Sequence, residues 1–230
     1  MPKMLGILEL ENRPISHVGA LCAEKTHPFP LKRLTVEGAN VAKLVSGDSS
    51  VRNAYISAAR KLEREGVSAI TTNCGFSSLY QNDVAASVNV PVIMSSLALV
   101  PFVAPNLPKG MQVGILTYDS TKLLEIHLEG AGWSSADFSV AIGGIEGSLT
   151  WKLLADPEPD ASREVITDDV LNGVRALIKA EPTIGAIVLE CAGFTLAGDA
   201  VRSETGLMVA DFVTLANILM EISPPNLAAR

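Results

Sequence analysis

Two stretches decide the fold: Ser68-Ala69-Ile70-Thr71-Thr72-Asn73-Cys74-Gly75-Phe76 and Gly185-Ala186-Ile187-Val188-Leu189-Glu190-Cys191-Ala192-Gly193-Phe194. Each reads as an apolar strand, one polar residue, a cysteine, small residues and a phenylalanine, followed by a helical pattern. The second copy carries one extra small residue after its cysteine. A short apolar run bounded by turn-forming residues marks a strand buried on both faces, as in a parallel sheet. Recurrence of the unit, with cysteine at the equivalent place, predicts two similar lobes.

Working outward, the same alternation continues. Residues 4–10 read as a first strand. Ser49 or Ser50 can cap a helix reaching about residue 65, with Val51, Ala54, Tyr55, Ala58 and Leu62 at three- and four-residue steps and Gly66 closing it. Residues 67–72 form a strand, 77–87 a helix and 90–94 a strand. In the second half, 111–117 is a strand, 121–130 a helix, 138–142 a strand and 162–179 a long helix ahead of Pro182. Residues 184–189 are a buried-type strand, the chain is helical from Thr195, and 207–210 is a short last strand. A helix over 212–222 ends at Pro224-Pro225. The fold class is therefore α/β: two lobes, each a parallel sheet covered by helices. Residues 1–97 together with 207–230 make the lobe carrying Cys74, and 98–206 the lobe carrying Cys191. The Pro-rich stretch 101–108 is the candidate crossing between them.

Composition narrows the function. Of 230 residues, 48% are apolar and 19% charged, enough to bury a core, with aliphatic side chains and Ala filling it because only 5% are aromatic. Twenty-five acidic against 18 basic residues give a net charge of −7. An acidic chain without a basic run does not suit nucleic acid. No stretch of about 18 uninterrupted apolar residues is present to span a membrane. Glu9 and Glu11 arrive too early for a signal-peptide apolar region, so the expectation is a cytoplasmic protein.

Three cysteines without a C-x-x-C pair, and three histidines without ligand spacing, predict no metal site and no cofactor. Ligands of open α/β sheets gather at the carboxyl ends of strands, where Cys74 and Cys191 both fall. Each precedes a helix, whose free N–H groups are expected to lower the thiol pKa. Gly75, Ala192 and Gly193 leave room for a small ligand to approach the backbone. Cys22 has no motif partner and reads as incidental. His17 and His27 sit in a loop-like region, residues 13–31, that is either a lid over the cleft or a surface excursion; as a lid it would bring Arg13 or Lys32 to an anionic substrate.

The two cysteine motifs resemble those of the aspartate/glutamate racemase superfamily, which includes cofactor-independent amino acid racemases, hydantoin racemases, maleate isomerases and arylmalonate decarboxylases. The resemblance spans nearly the whole chain. It implies two α/β lobes about a pseudo-twofold axis, a site in the cleft between them, and a homodimer or larger assembly. It implies that Cys74 and Cys191 act as opposing acid and base on a small anionic substrate. One is thiolate and the other thiol at any moment, so they titrate as a pair. Candidate donors for the developing enolate charge are the backbone N–H groups of Gly75 and Ala192, with Asn73 and the Thr72 hydroxyl nearby. Thr117 either adds a hydroxyl or caps the approach to a helix, Tyr118 either adds one or packs its ring on the lobe edge, and Asn12 either binds substrate or shapes a turn. Glu190 either polarises Cys191 or points outward from the strand end.

The residues after the cysteines depart from glutamate racemases, which carry Cys-Asn-Thr and Cys-Thr-His; the histidine is missing here, which points away from glutamate. Cys-Ala-Gly is closer to hydantoin racemases, although their Asn-Pro-Asn opening is replaced by Glu11-Asn12-Arg13. Arylmalonate decarboxylases keep one cysteine, whereas this chain has both. The expected activity is a two-thiol racemase or epimerase of a carboxylate-bearing or hydantoin-like substrate. The alternatives are a dimethylsulfoniopropionate-lyase-like β-elimination, a maleate-isomerase-like reaction through a covalent cysteine adduct, or a binding protein that kept the shell and lost the chemistry.

Overall fold

In the computed structural model, which describes residues 3–225, the apolar runs become two separate parallel sheets. The first has the order β2–β1–β3, built from β1 (Leu5–Glu9), β2 (Leu31–Thr35) and β3 (Ala69–Thr72). The second has the order β5–β4–β6–β7, built from β4 (Gln112–Thr117), β5 (Val140–Gly144), β6 (Ile184–Leu189) and β7 (Met208–Ala210). The central strands β1 and β4 are buried almost throughout, as continuous Leu/Ile/Val runs require when both faces are covered.

The sheets match strand for strand up to one difference. Where β6 takes β7 as a neighbour, β3 takes only the single bridge Ile70–Val92. The strand expected over residues 90–94 shrinks to that bridge because Pro91 has no N–H to give a ladder; its carbonyl accepts from Ile70 instead. β7 also corrects the lobe assignment. Residues 208–210 belong to the second sheet, not the first lobe, since their pairing is with Ala186–Val188. Residues 1–2 and 226–230 of the first lobe lie outside the described residues.

The helices are α1 (Val41–Ser46), α2 (Arg52–Arg64), α3 (Gln81–Ala85), α4 (Val100–Val103), α5 (Glu125–Gly130), α6 (Leu149–Leu154), α7 (Arg163–Ala180), α8 (Gly198–Thr205) and α9 (Phe212–Ile222). α2 buries the expected stripe of Tyr55, Ala58 and Leu62, and Gly66 at φ +85° turns the chain away from it. Its start differs: Asp48 caps a 3-10 turn, Ser49–Val51, and the α-helix begins after it. Ser162 caps α7 and Asp211 caps α9, each accepting the N–H three residues on. α4 and a following 3-10 turn occupy the Pro-rich stretch and carry the chain from the first sheet to β4. Among the described residues no helix is long and apolar enough to cross a membrane.

One apolar core runs through both lobes. It joins Leu5, Ile7 and Ile70 of the first sheet to Val113, Ile115 and Val188 of the second, and α9 contributes Phe212, Leu215 and Leu219. A smaller core lies under α7 and α8, with Leu116, Ile187, Leu189, Val174 and Phe194. Polar ties reinforce the join: the Ser96 hydroxyl donates to the Leu189 carbonyl at 2.8 Å, and the Trp133 ring N–H to the Leu97 carbonyl at 2.9 Å. α5 lies so close to the turn after Cys74 that a Cβ on Gly130 would overlap the Ser78 carbonyl. The two strand ends are thus held at a fixed spacing.

Candidate active site

Each cysteine occupies the residue before a six-residue 3-10 turn, Gly75–Tyr80 after β3 and Ala192–Ala197 after β6. The expected helices begin as these tight turns and become α-helical only at Gln81 and Gly198. Both turns open on one cleft of about 680 Å³, its solvent-open mouth included. Its walls are largely apolar. Leu10, Ile15, Leu21, Val41, Val45 and Phe76 come from the first lobe, and Tyr118 and Leu154 from the second.

The cleft brings together Asn12, Asn73, Cys74, Gly75, Tyr118, Glu190, Cys191 and Ala192. Thr72 and Thr117 lie behind its wall. The Thr72 hydroxyl sits 2.9 Å from the carbonyls of both Cys74 and Met94, bracing the Cys74 turn. Thr117 donates to Glu190 Oε2 at 2.7 Å. Asn12 lines the cleft with its amide already engaged: it donates to the Ala155 and Asp156 carbonyls and accepts the Val41 N–H. Asn73 Oδ1 accepts the Leu10 N–H at 3.0 Å, which leaves its NH2 group without a partner among the described residues. The Tyr118 hydroxyl donates to the Trp151 carbonyl at 2.7 Å and its ring stacks on Trp151.

Residues 12–22 form a strap from the first lobe to the second. Beyond the Asn12 bonds, the Arg13 N–H donates to the Pro157 carbonyl, its guanidinium pairs with Glu158, His17 meets the Ala161 carbonyl, and Arg163 donates to the Val18 carbonyl. The segment therefore crosses the mouth of the cleft. It also carries Cys22, which lines the cleft rather than standing apart from it. No local pattern marks Cys22; only the folded path of the strap places it there. Beside it, the buried Glu9 carboxylate pairs with Arg33, and burial, then Glu9, holds its thiol well above the ordinary range.

The electrostatics reverse one expectation. N–H groups do point at the sulfurs, those of Phe76 and Ser77 at Cys74 and those of Gly193 and Phe194 at Cys191, and they favour the thiolate. Burial outweighs them. It pushes the Cys74 thiol up to about 12, with the charge of Glu190 adding to the rise. Cys191 is raised well above its ordinary value by burial, then by Glu190 and by Cys74. Burial, followed by the neighbouring Cys191, likewise lifts the Tyr118 phenol to about 12. Glu190 is itself lifted to about 7 by burial, against the bonds from Thr117 and the Tyr118 N–H. Burial and the acidic neighbour thus favour the neutral thiols on the cleft floor, against the direction that the N–H groups alone would give.

Solved structures share this architecture. Allantoin racemase from Klebsiella pneumoniae superposes with a TM-score of 0.62 at 17% identity, covering 95% of this chain and 86% of that one. A glycine-to-cysteine variant of arylmalonate decarboxylase superposes at 0.61 and 15%, covering 97% of each. An aspartate racemase homologue from Pyrococcus horikoshii OT3 superposes at 0.57 and 20% over the whole of both chains. This chain is built on the aspartate/glutamate racemase fold.

Within that fold, sequence relatives point in a narrower direction. A dimethylsulfoniopropionate lyase of Durusdinium sp. clade D is 28% identical over 226 residues, covering 94% of this chain and 73% of that protein. Dimethylsulfoniopropionate lyase 5 of Emiliania huxleyi is 31% identical over 190 residues, covering 77% of this chain and 38% of that protein. The chain thus spans well under half the length of lyase 5, and a match to lyase 3 of the same organism covers 46% of it. No protein-family profile matches the chain.

Proposed function

We propose that the chain is a cofactor-independent lyase that abstracts an α-proton from a small carboxylate and expels a β-leaving group, with dimethylsulfoniopropionate as the substrate class. The observation that carries this is the opening of the Cys74 and Cys191 turns onto one apolar cleft. The choice of elimination over racemisation rests on the named activity of relatives that align over 94% of the chain.

One thiolate takes the proton from the carbon next to the carboxylate. The electron pair left on that carbon spreads onto the carboxylate oxygens, for which the N–H groups of Gly75 and Ala192 and the NH2 of Asn73, all lining the cleft, serve as donors. It then forms the Cα–Cβ double bond as the Cβ–S bond breaks, and dimethyl sulfide leaves with the bonding pair while acrylate remains. The second thiol keeps its proton. The apolar walls suit a reaction that turns a charged sulfonium into a neutral thioether, and the faces of Tyr118 and Phe76 can receive the cation before it reacts.

The test is direct. Purified protein with dimethylsulfoniopropionate should release dimethyl sulfide into the headspace and acrylate into solution in equal amounts, read by gas chromatography and proton NMR. In heavy water, amino acids and hydantoins should gain no α-deuterium. Deuterium gain there, without any dimethyl sulfide from the sulfonium substrate, would reject the lyase and leave the racemase, which the same pair of thiols can perform.

A further inference from the structure

The chemistry above leaves one buried acid without a task. Glu190 has no exposed surface. Its Oε2 accepts from the Thr117 hydroxyl and the Tyr118 N–H faces the carboxyl, while Oε1 has no partner among the described residues. The carboxyl group is wedged between the two cysteine turns. It belongs to the residue before Cys191, and it presses on the residue after Cys74: a Cβ on Gly75 would overlap Oε1 and lie 2.5 Å from the Glu190 carbonyl oxygen. Glycine at 75 is what lets the two turns meet.

The groups facing this carboxyl are all acids or neutral donors. The turn after β3 brings the Cys74 thiol, and its own turn brings Cys191. The end of β4 brings the Thr117 hydroxyl and the Tyr118 N–H. The segment after the first sheet brings Ser96, whose hydroxyl is taken by the Leu189 carbonyl. The cation lining the cleft, Arg13, is exposed and paired with Glu158. With no cation facing it, a Glu190 carboxylate would leave Oε1 charged and unpaired, and would repel a thiolate on either side.

We propose that Glu190 is a positioning residue for both thiols: it keeps a proton on Oε1 whenever Cys74 or Cys191 is ionised, so that three acids share a single negative charge. This rests on reading Cys74 and Cys191 as the acid–base pair. The carboxylate of the substrate strengthens the same requirement, because an ionised Glu190 repels it. The affinity for a carboxylate substrate therefore falls as Glu190 ionises, and in Glu190→Gln it does not.

Alkylation by iodoacetamide, resolved residue by residue by mass spectrometry from pH 6 to 10, tests the proposal without a substrate. In Glu190→Gln the rates at Cys74 and Cys191 should rise about tenfold at pH 8.5, the equivalent of one pKa unit. Cys22, whose ionisation answers to Glu9 and Arg33, should keep its rate and reports any general loosening of the fold. Thr117→Val removes a bond that favours the carboxylate and should shift the two rates the same way by a smaller factor. Unchanged rates at Cys74 and Cys191 in a folded Glu190→Gln protein overturn the proposal. Should that variant not fold, unchanged rates in Thr117→Val overturn it. The lyase reading fails separately, on dimethyl sulfide release alone.

Discussion

After β3 the chain sets Asn73 before its cysteine; after β6 it sets Glu190. The two turns have the same length and the same 3-10 geometry, and both sulfurs receive N–H groups from the second and third residues beyond. Asn73 is half-exposed and uses its carbonyl oxygen to tie down the end of β1. Glu190 is sealed in and reaches across to the other turn. Duplicated geometry thus supplies two thiols, and one unmatched side chain makes their surroundings unequal. The lesson is that near-twofold architecture fixes where the acids stand, while single substitutions at equivalent positions decide how they ionise.

Replacing the thiols strikes that comparison hardest. If the site eliminates, the cysteine that removes the α-proton should lose about 10³-fold in dimethyl sulfide release on change to serine, and its counterpart markedly less. Equal losses from Cys74→Ser and Cys191→Ser would show that both transfer protons, as racemisation requires. Next in size is the pH dependence of stability. Burial raises Glu190 from an ordinary 4.5 to about 7, so the folded protein holds this proton more tightly than the unfolded chain does. The resulting stabilisation is full below pH 4.5 and is lost as pH rises to 7, by on the order of 3 kcal/mol. Urea unfolding at several pH values should show that slope, and Glu190→Gln should remove it.

Gly75→Ala drives a methyl group into Glu190 and should cost about 1–3 kcal/mol. Gly193→Ala meets the end of Leu154 at 3.3 Å and the Cys191 sulfur at an ordinary 3.7 Å, and should cost well under about 1 kcal/mol, a flexible side chain being able to yield. Equal costs in denaturant titrations would mean that the two turns are not packed as described. A third substitution is Asn73→Ala. It removes one bond to the Leu10 N–H and should cost about 1 kcal/mol by the same measurement.

Much of the architecture was legible locally. β6 and α9 have the bounds that their apolar runs imply, since nothing interrupts 184–189 and Asp211 and Pro224 bracket 212–222. β2 and α1 escaped reading: Leu31–Thr35 is a five-residue edge strand with Lys32 and Arg33 facing out, and α1 has six residues and one buried side chain. The pairing of Cys74 with Cys191 followed from the repeated unit. Their ionisation did not, because helix-end donors can be read from neighbours in sequence whereas burial depends on the other lobe. Cys22 and the inward turn of Glu190 are likewise products of long-range packing, though the glycine at 75 is the mark that Glu190 leaves on the distant motif.

The single core shared by both sheets has a consequence for how the protein can be taken apart. Severed between residues 97 and 98, each fragment would bare the leucines, isoleucines and valines that normally meet their counterparts, and α9 would be parted from the β3 surface it covers. Neither half could stand alone in water, yet the two produced together have every reason to reassemble. Heat or urea should likewise melt the molecule in one step, not lobe by lobe.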